Sequence, residues 1–360
     1  MRLLNPGPVV LSERVRRSLL APDLCHRESE FFDLQDEARR RLLAVYALDP
    51  AKWCAVLITA SGTGAVESML STLVPHDGRV LVAENGVYGE RIAQICARYG
   101  IAFERLTGDW MAALDLAGIS RRLEDAPQEG GARFTHLAVV HHETTTGRLN
   151  DLRPLGDLCR QHRVKLLVDA VSSFGAEAID FADESLAAAA ATANKCLHGV
   201  PGVAFAIVRR RALERAVSRA YYLDLARAAA AQDRRDTPFT PAVHAYYALV
   251  EALREHAEQG GWAARHQRYA AFAEQVRAGF ARLGIAPMLP PEESSVVLRS
   301  YRLPPHTSYA ALHDGLKARG FVIYAGQGSL CEKLFRISTM GDLSAADLDG
   351  LVECCRELLR

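Results

Sequence analysis

The stretch Lys165-Leu-Leu-Val-Asp-Ala-Val-Ser-Ser-Phe-Gly175 decides the fold. It is a short apolar run that ends in an acid and is followed by small residues and a glycine. This pattern predicts a buried strand of a largely parallel sheet. Asp169 would then lie at the carboxyl end of that strand, where open α/β sheets bind their ligands. Taken alone, Asp169 could equally be a carboxylate that caps a helix.

A second stretch, Ala193-Asn-Lys-Cys-Leu-His-Gly-Val-Pro-Gly202, follows the first. It holds Lys195 between small or polar residues and a Gly-Val-Pro-Gly turn that cannot continue a helix. A lysine amine that forms a Schiff base and a carboxylate that pairs with a protonated pyridine nitrogen are what pyridoxal phosphate chemistry requires. Lys195 alone could be a surface lysine, but the pair predicts Lys195 and Asp169 as catalytic residues.

The composition is that of an ordinary globular enzyme. Of the 360 residues, 49% are hydrophobic and 24% charged, and 43 basic residues balance 43 acidic ones. A formal charge of zero favours neither nucleic acid nor a membrane surface as a partner. The eight cysteines form no C-x-x-C pair, which argues against a zinc site and for a reducing compartment. With no signal peptide and no membrane-length apolar run, we expect a cytoplasmic protein.

Strand and helix patterns alternate from residue 55, which predicts an α/β fold. The Pro-rich stretch Ala286–Pro291 is the best domain boundary by composition. We expect a large domain over 26–285 and a small α/β domain over 286–360, with an N-terminal segment, 1–25, packed against the small one.

Three further predictions concern local secondary structure. Intrinsic propensity predicts a helix for Ser185–Thr192, but strand-like packing is possible instead. A further helix is expected to continue to about Tyr222. Residues 109–133 are expected to combine a helix with an exposed Gly-rich loop.

Several segments carry candidate ligand-binding residues. Ser61-Gly-Thr-Gly64 would open a helix, and a small-residue turn at a helix N-terminus can hold an anion. Tyr88, flanked closely by glycines, could stack on a planar ring or be a core tyrosine. His26 and Arg27 lie in a polar loop that either touches a ligand or is simply solvated. His141-His-Glu143 could suggest a metal, but adjacent strand residues point to opposite faces, so we expect no metal site.

Together these pieces resemble the class V aminotransferases, which are fold-type I pyridoxal phosphate enzymes. The resemblance covers nearly the whole chain. Its points of match are Asn5-Pro-Gly-Pro8, Ser61-Gly-Thr-Gly64, Asn85-Gly-Val-Tyr-Gly-Glu-Arg91, His142-Glu-Thr-Thr-Thr-Gly147, Asp169-Ala-Val-Ser-Ser-Phe-Gly175, Ala193–Gly202 and Phe335-Arg-Ile337. It implies a large domain with a mainly parallel seven-stranded sheet, a small C-terminal domain and pyridoxal 5'-phosphate as cofactor.

The resemblance also implies roles, residue by residue. Lys195 would be the Schiff-base lysine and the base that moves the proton between Cα and C4′, and Asp169 would pair with the pyridine nitrogen. The implied cofactor-binding residues are Ser61, Gly62 and Thr63 at the phosphate, Tyr88 on the ring face, Thr145 near the phenolic oxygen, and Asn194. Thr240 would reach the phosphate of the neighbouring subunit, so the active form would be a homodimer with shared sites. Arg336 would clamp the substrate carboxylate.

Within the family, the Glu-Thr-Thr-Thr-Gly and Ala-Asn-Lys-Cys-x-x-Gly-Val-Pro-Gly runs are most similar to the 2-aminoethylphosphonate–pyruvate transaminases. That resemblance implies conversion of 2-aminoethylphosphonate and pyruvate to phosphonoacetaldehyde and L-alanine, with His26 and Arg27 as the unassigned donors for the phosphonate. Two segments depart from it. Ile337-Ser-Thr-Met-Gly341 and Cys25-His-Arg-Glu-Ser-Glu-Phe31 favour an alanine–glyoxylate or serine–pyruvate type instead. A lyase or desulfurase would need a mobile catalytic cysteine, for which neither Cys196 nor Cys331 is well placed.

Overall fold

The computed structural model describes residues 1–125 and 133–359, so the Gly-rich part of the predicted 109–133 loop lies largely outside the described residues. The strands are β1 Arg2–Leu3, β2 Trp53–Ile58, β3 Arg79–Glu84, β4 Ala102–Thr107, β5 His136–Val140, β6 His142–Glu143, β7 Arg148–Leu149, β8 Lys165–Asp169, β9 Leu186–Thr192, β10 Ala204–Arg209, β11 Leu298–Arg302, β12 Phe321–Val322, β13 Tyr324–Ala325 and β14 Leu334–Ser338.

The α-helices alternate with these strands over the first two thirds of the chain. They are α1 Glu13–Ser18, α2 Ser29–Ala44, α3 Gly62–Leu73, α4 Val87–Arg98, α5 Leu116–Asp125, α6 Leu152–His162, α7 Arg210–Leu213, α8 Leu225–Asp233, α9 Val243–Glu258, α10 Gly261–Ala281, α11 Tyr309–Ala318 and α12 Ala345–Leu358. Of the helices in the described ranges, none has both the length and the apolar composition needed to span a bilayer.

A seven-stranded sheet forms the centre of the molecule, in the order β2-β10-β9-β8-β5-β3-β4. The neighbours from β9 to β4 pair in parallel, whereas β10 runs antiparallel to both β2 and β9. One face packs against α2, α5, α6 and α9, and the other against α3, α4 and α8. The predicted mainly parallel α/β sheet is therefore confirmed, and Asp169 ends one of its central strands.

The alanine-rich run Ser185–Thr192, which the sequence left open, forms strand β9 between β8 and β10. All seven residues of β9 are buried, and α3 crosses it. Alanine favours helix by intrinsic propensity, but a strand covered on both faces gains two hydrogen-bonded neighbours and close helix packing. Tertiary burial therefore outweighs local propensity here.

The helix predicted to continue to about Tyr222 is wrong. Helix α7 ends at Leu213, and the chain then turns back over the end of α3. There Arg219 N donates to Ser71 O at 3.0 Å, and the Arg219 guanidinium donates to Val74 O and Pro75 O. These long-range hydrogen bonds satisfy carbonyl groups at the C-terminal end of α3. Such partners are distant in sequence, so local pattern could not reveal them.

A smaller layer is built from the antiparallel sheet β11-β14-β13 with α11 and α12. The N-terminal strand β1 pairs in parallel with β12, and Leu4 lies in the core of this layer. Val276 and Phe280, near the end of α10, belong to the same core, so that helix joins the two layers. The division into domains at residues 285 and 286 stays a prediction.

Candidate active site

A small cavity lies at the carboxyl ends of β5 and β8, and it contains both Lys195 and Asp169. It is lined by Tyr88, Val140, His142, Thr144, Asp169, Val171, Ser172 and Lys195. A larger cavity, bordered among others by Lys52, Trp53 and Arg210, contains none of the predicted site residues. The chemistry therefore points to the smaller cavity, because it brings the predicted lysine and acid together.

Lys195 reaches this cavity from the turn that follows β9. Its amine donates a hydrogen bond to the carbonyl oxygen of Pro6, in the N-terminal Asn-Pro-Gly-Pro turn. Burial lowers the pKa of Lys195 to about 8, and the nearby negative charge of Asp169 opposes that shift. A buried amine with a lowered pKa can act as a nucleophile near neutral pH. The adjacent Asn194 is half-buried and accepts from Thr192 Oγ1 at 2.8 Å.

Asp169 is buried, and its carboxylate is only partly engaged. Oδ1 accepts from the backbone N–H of Val171 at 2.9 Å, and no further hydrogen bond to this carboxylate occurs among the residues described. Burial raises the pKa of Asp169 to about 6, whereas that N–H and the charges of Arg91 and Lys195 lower it. A carboxylate in this state can accept from the N–H of a protonated heterocycle.

The predicted phosphate cradle adjoins the cavity through Val171. Helix α3 begins at Gly62, and the Ser61 side chain makes no capping hydrogen bond to it within the described ranges. A Cβ added at Gly62 would lie 2.6 Å from Val171 Cγ1, so glycine allows the helix start to approach the cavity wall. The hydroxyl of Thr63 accepts from Arg91 Nη1 at 3.2 Å.

Glu143 is a fully buried carboxylate that fixes Tyr88. Oε2 accepts from the backbone N–H groups of Tyr88 at 3.2 Å and Gly89 at 3.3 Å, in the first turn of α4. Oε1 accepts from the N–H of Thr145 at 3.1 Å and from its hydroxyl at 2.6 Å. That hydroxyl in turn accepts from Val87 N at 3.1 Å. Glu143 and Thr145 thus cap a helix to which they do not belong.

The Thr145 hydroxyl is therefore engaged by Glu143 and α4, and Thr144 is the threonine that lines the cavity. The contact of Thr145 with the ring's phenolic oxygen stays a prediction. His142 lines the same cavity, and burial lowers its pKa to about 4, so the ring is neutral at physiological pH. Its Nδ1 is 3.2 Å from Ser172 O, and its Nε2 is buried with no partner in the described chain. This nitrogen is therefore available to pair with a polar atom of a ligand in the cavity.

Arg336 connects the small layer to the cavity. It lies on β14, only 3% of it is exposed, and burial lowers its pKa. Nε donates to Ala325 O at 2.8 Å, and Nη1 donates to Thr144 O at 2.9 Å and to Gln327 Oε1 at 3.0 Å. Nη2 has no hydrogen bond to any described residue, which leaves that side of the guanidinium available to an anion.

Three predicted residues lie away from this cavity within the same chain. Thr240 lines a separate groove together with Thr59. Arg27 is largely exposed and pairs with Asp236 at 2.6 Å, and His26 precedes it on the same loop. A role of Thr240 across a dimer interface, and of His26 and Arg27 at the substrate, stays a prediction.

Cys196 and the two adjacent histidines each make a hydrogen bond to Ser172 or Ser173. The Cys196 thiol donates to Ser172 O at 3.4 Å, and burial raises its pKa to about 12, so it is not a thiolate near neutral pH. His141 Nδ1 lies 3.0 Å from Ser173 Oγ, whereas His142 contacts Ser172. Within the described residues, His, Cys, Asp and Glu side chains form no group of three or more that could hold a metal.

The structure adds contacts that the sequence did not assign, namely those of the Pro6 carbonyl, Arg91, His142, Glu143 and Thr144. All five of these residues stand inside the quoted motifs, so the motifs marked the right segments. Only the three-dimensional contacts show which member of each segment reaches the cavity and which one holds it in place.

These residues fit pyridoxal phosphate. A lysine amine, an incompletely engaged carboxylate, an unpartnered imidazole nitrogen and a helix start with a required glycine all meet at one sheet edge. The fold is shared with fold-type I aminotransferases. An alanine–glyoxylate aminotransferase from Nostoc sp. superimposes with a TM-score of 0.91 at 27% identity, over 99% of this chain and 95% of that one. A subgroup IV aspartate aminotransferase from Thermus thermophilus gives 0.88 at 28% identity, over 100% and 99%.

Comparison with known sequences identifies the family of aminotransferases. The model of the family "Aminotransferase class-V" matches residues 21–341. A 2-aminoethylphosphonate–pyruvate transaminase from Pseudomonas aeruginosa is 35% identical over 99% of this chain and 96% of its own length. The chain belongs to the class V aminotransferase family. It is a pyridoxal phosphate-dependent aminotransferase, as the sequence predicted.

Proposed function

We propose that the enzyme transfers the amino group of 2-aminoethylphosphonate to pyruvate, giving phosphonoacetaldehyde and L-alanine. The observation that carries this proposal is the 35% identity, over nearly the full length, to transaminases named for these substrates in Pseudomonas aeruginosa and Bacillus cytotoxicus. A buried arginine with one free face, Arg336, is compatible with the carboxylate of pyruvate or alanine.

Bound pyridoxal phosphate supplies the electron sink and carries the amino group between the two substrates. In the proposal, Lys195 holds the cofactor and its Nζ takes and returns the proton at the substrate carbon that bears nitrogen. Asp169 keeps the pyridine nitrogen protonated, Tyr88 covers the ring, and Ser61, Gly62 and Thr63 hold the phosphate. Support for these roles comes from the shared cavity, the lowered pKa of Lys195 and the free oxygen of Asp169.

We further propose a homodimer in which Thr240 completes the partner's site. In this chain Thr240 lies in a groove separate from that of Lys195, which is compatible with a role toward a second subunit. Mixing Lys195→Ala and Thr240→Ala chains tests this, since a shared site would leave one intact site in each hybrid dimer. Activity should then partly recover; no recovery despite proven subunit exchange would contradict the proposal.

An alanine–glyoxylate type activity is the second candidate, favoured by the TM-score of 0.91 to the Nostoc enzyme of that name. The two candidates differ in the first half-reaction, which is visible as loss of the absorbance band of the lysine-bound cofactor. We expect 2-aminoethylphosphonate to bleach that band and pyruvate to restore it with formation of alanine. Bleaching by alanine or serine, with no response to 2-aminoethylphosphonate, would replace the proposal by the second candidate.

A further inference from the structure

Arg91 is a cationic side chain without an anionic partner in the described part of the chain. It lies on α4, three residues after Tyr88, and its guanidinium carbon is 4.6 Å from the centre of the Tyr88 ring. Its Nη1 donates to the hydroxyl of Thr63 at 3.2 Å. An arginine carries five N–H donors, so most of them remain free for a ligand.

The two contacts of Arg91 place its charge beside the candidate site. Thr63 belongs to the start of α3, and Tyr88 lines the Lys195 cavity. The charge of Arg91 is one of the causes that lower the pKa of both Asp169 and Lys195, which puts it within electrostatic reach of the catalytic pair.

The charge balance of the predicted phosphate cradle indicates what Arg91 could bind. Ser61, Gly62 and Thr63 offer hydroxyls and backbone N–H groups but no formal positive charge, whereas a phosphate monoester carries about −1.5 to −2 charges at pH 7. A planar guanidinium donates two parallel hydrogen bonds to such an oxyanion. Arg27, the arginine that the resemblance implies for the phosphonate, is already paired with Asp236.

We propose that Arg91 binds a tetrahedral phosphorus oxyanion next to Thr63, either the phosphate of the cofactor or the phosphonate of the amino donor. The phosphonate alternative rests on the proposed function; the phosphate alternative requires only the family's cofactor. In both cases Arg91 supplies the formal charge and the fork of donors that the start of α3 lacks.

The test compares Arg91→Gln with the matched control Arg98→Gln, an exposed arginine on the same helix. Glutamine preserves a donor toward Thr63 but removes the charge. Titrations of each apoenzyme with pyridoxal 5'-phosphate and with pyridoxal, followed by quenching of tryptophan fluorescence, isolate the contribution of the phosphate. Half-reactions with 2-aminoethylphosphonate and with alanine isolate that of the phosphonate. The unfolding midpoint of the apoenzyme, which should not move, monitors structural damage.

Loss of one charge-assisted contact should weaken binding about 10- to 100-fold. If Arg91 holds the cofactor, this loss appears for pyridoxal 5'-phosphate and not for pyridoxal. If it holds the donor, cofactor affinity stays and only 2-aminoethylphosphonate is affected. Arg91→Lys, which keeps the charge, should partly restore the affected step. Equal effects on both cofactor forms together with equal effects on both donors, or no effect at all, would overturn the proposal. A wild-type enzyme inert to 2-aminoethylphosphonate would refute the proposed function while leaving the cofactor titration decisive.

Discussion

Glu143 offers the sharpest test of how the site is held together, because four hydrogen bonds end on one buried carboxylate. Replacing it by alanine leaves the backbone N–H groups of Tyr88, Gly89 and Thr145 without an acceptor, and the Thr145 hydroxyl loses its acceptor as well. We expect the start of α4 to loosen and the Tyr88 ring to lose its fixed place at the cavity.

The size of the effect follows from the number of orphaned donors. Each buried donor without a partner costs about 1–3 kcal/mol, and water that enters the space of the lost side chain recovers part of that cost. Glu143→Ala should therefore lower the free energy of unfolding by about 3–5 kcal/mol. Glu143→Gln keeps one oxygen and should cost about 2–3 kcal/mol, since two donors face an amide nitrogen. Thr145→Val, which removes one hydroxyl, should cost about 1–2 kcal/mol.

Denaturant unfolding of the apoproteins measures these differences. Stability should fall in the order wild type, Thr145→Val, Glu143→Gln, Glu143→Ala, and the double variant Glu143→Gln/Thr145→Val should lose less than the sum of the two. Gln94→Ala, at an exposed position of the same helix, is the control and should stay within about 0.5 kcal/mol of wild type. A Glu143→Ala protein within about 1 kcal/mol of wild type at an unchanged denaturant slope would refute this reasoning.

Four further outcomes are expected. Borohydride reduction and peptide mapping should find the cofactor on Lys195, and recovery on another lysine would exclude its role. Because the pKa of Lys195 is lowered to about 8, the neutral fraction of its amine grows with pH. Cofactor capture by the apoenzyme should therefore speed up through pH 8 and level off above about pH 9, whereas a rise continuing toward about pH 10 would indicate an ordinary lysine. Gly7→Ala, whose Cβ would lie 2.7 Å from Lys195 Nζ, should displace the amine and slow cofactor incorporation, whereas Gly100→Ala, which also has a positive φ but meets open space, should not. Arg336→Lys should slow the pyruvate half-reaction about 10- to 100-fold in stopped-flow absorbance, since an ammonium cannot keep the contacts to Ala325 O and Thr144 O and also replace Nη2 at the carboxylate, and an unchanged rate would remove it from the carboxylate site.

The sequence predicted the parts of the fold in which local pattern and tertiary burial agree. The strand that ends at Asp169 was predicted correctly, because its short apolar run favours a strand locally and the neighbouring strands bury it. Where the two disagree, as in the five alanines of β9, propensity gave no decision. The wrong prediction of a helix up to Tyr222 has the same cause, because this segment makes hydrogen bonds with the end of α3 that local pattern does not reveal.

Within the candidate site, sequence motifs located the segments better than the functions of single residues. Lys195 and Asp169, which the sequence paired as catalytic candidates, share a cavity. Thr145, by contrast, is hydrogen-bonded to a carboxylate two residues away, which a linear motif cannot show. Arg27 illustrates the same limit, because its pairing with Asp236 joins positions more than 200 residues apart.

The N-terminal turn gives the site a link between its two layers. Ser338 N donates to Leu4 O at 2.8 Å, and Leu4 lies in the core of the small layer, so the adjacent turn is held by the same layer that carries Arg336. Pro6 in that turn accepts a hydrogen bond from the Lys195 amine. Only the neutral amine has a lone pair that can attack a carbonyl carbon. One short, proline-stiffened segment thus contacts both the Lys195 amine and the layer that carries Arg336.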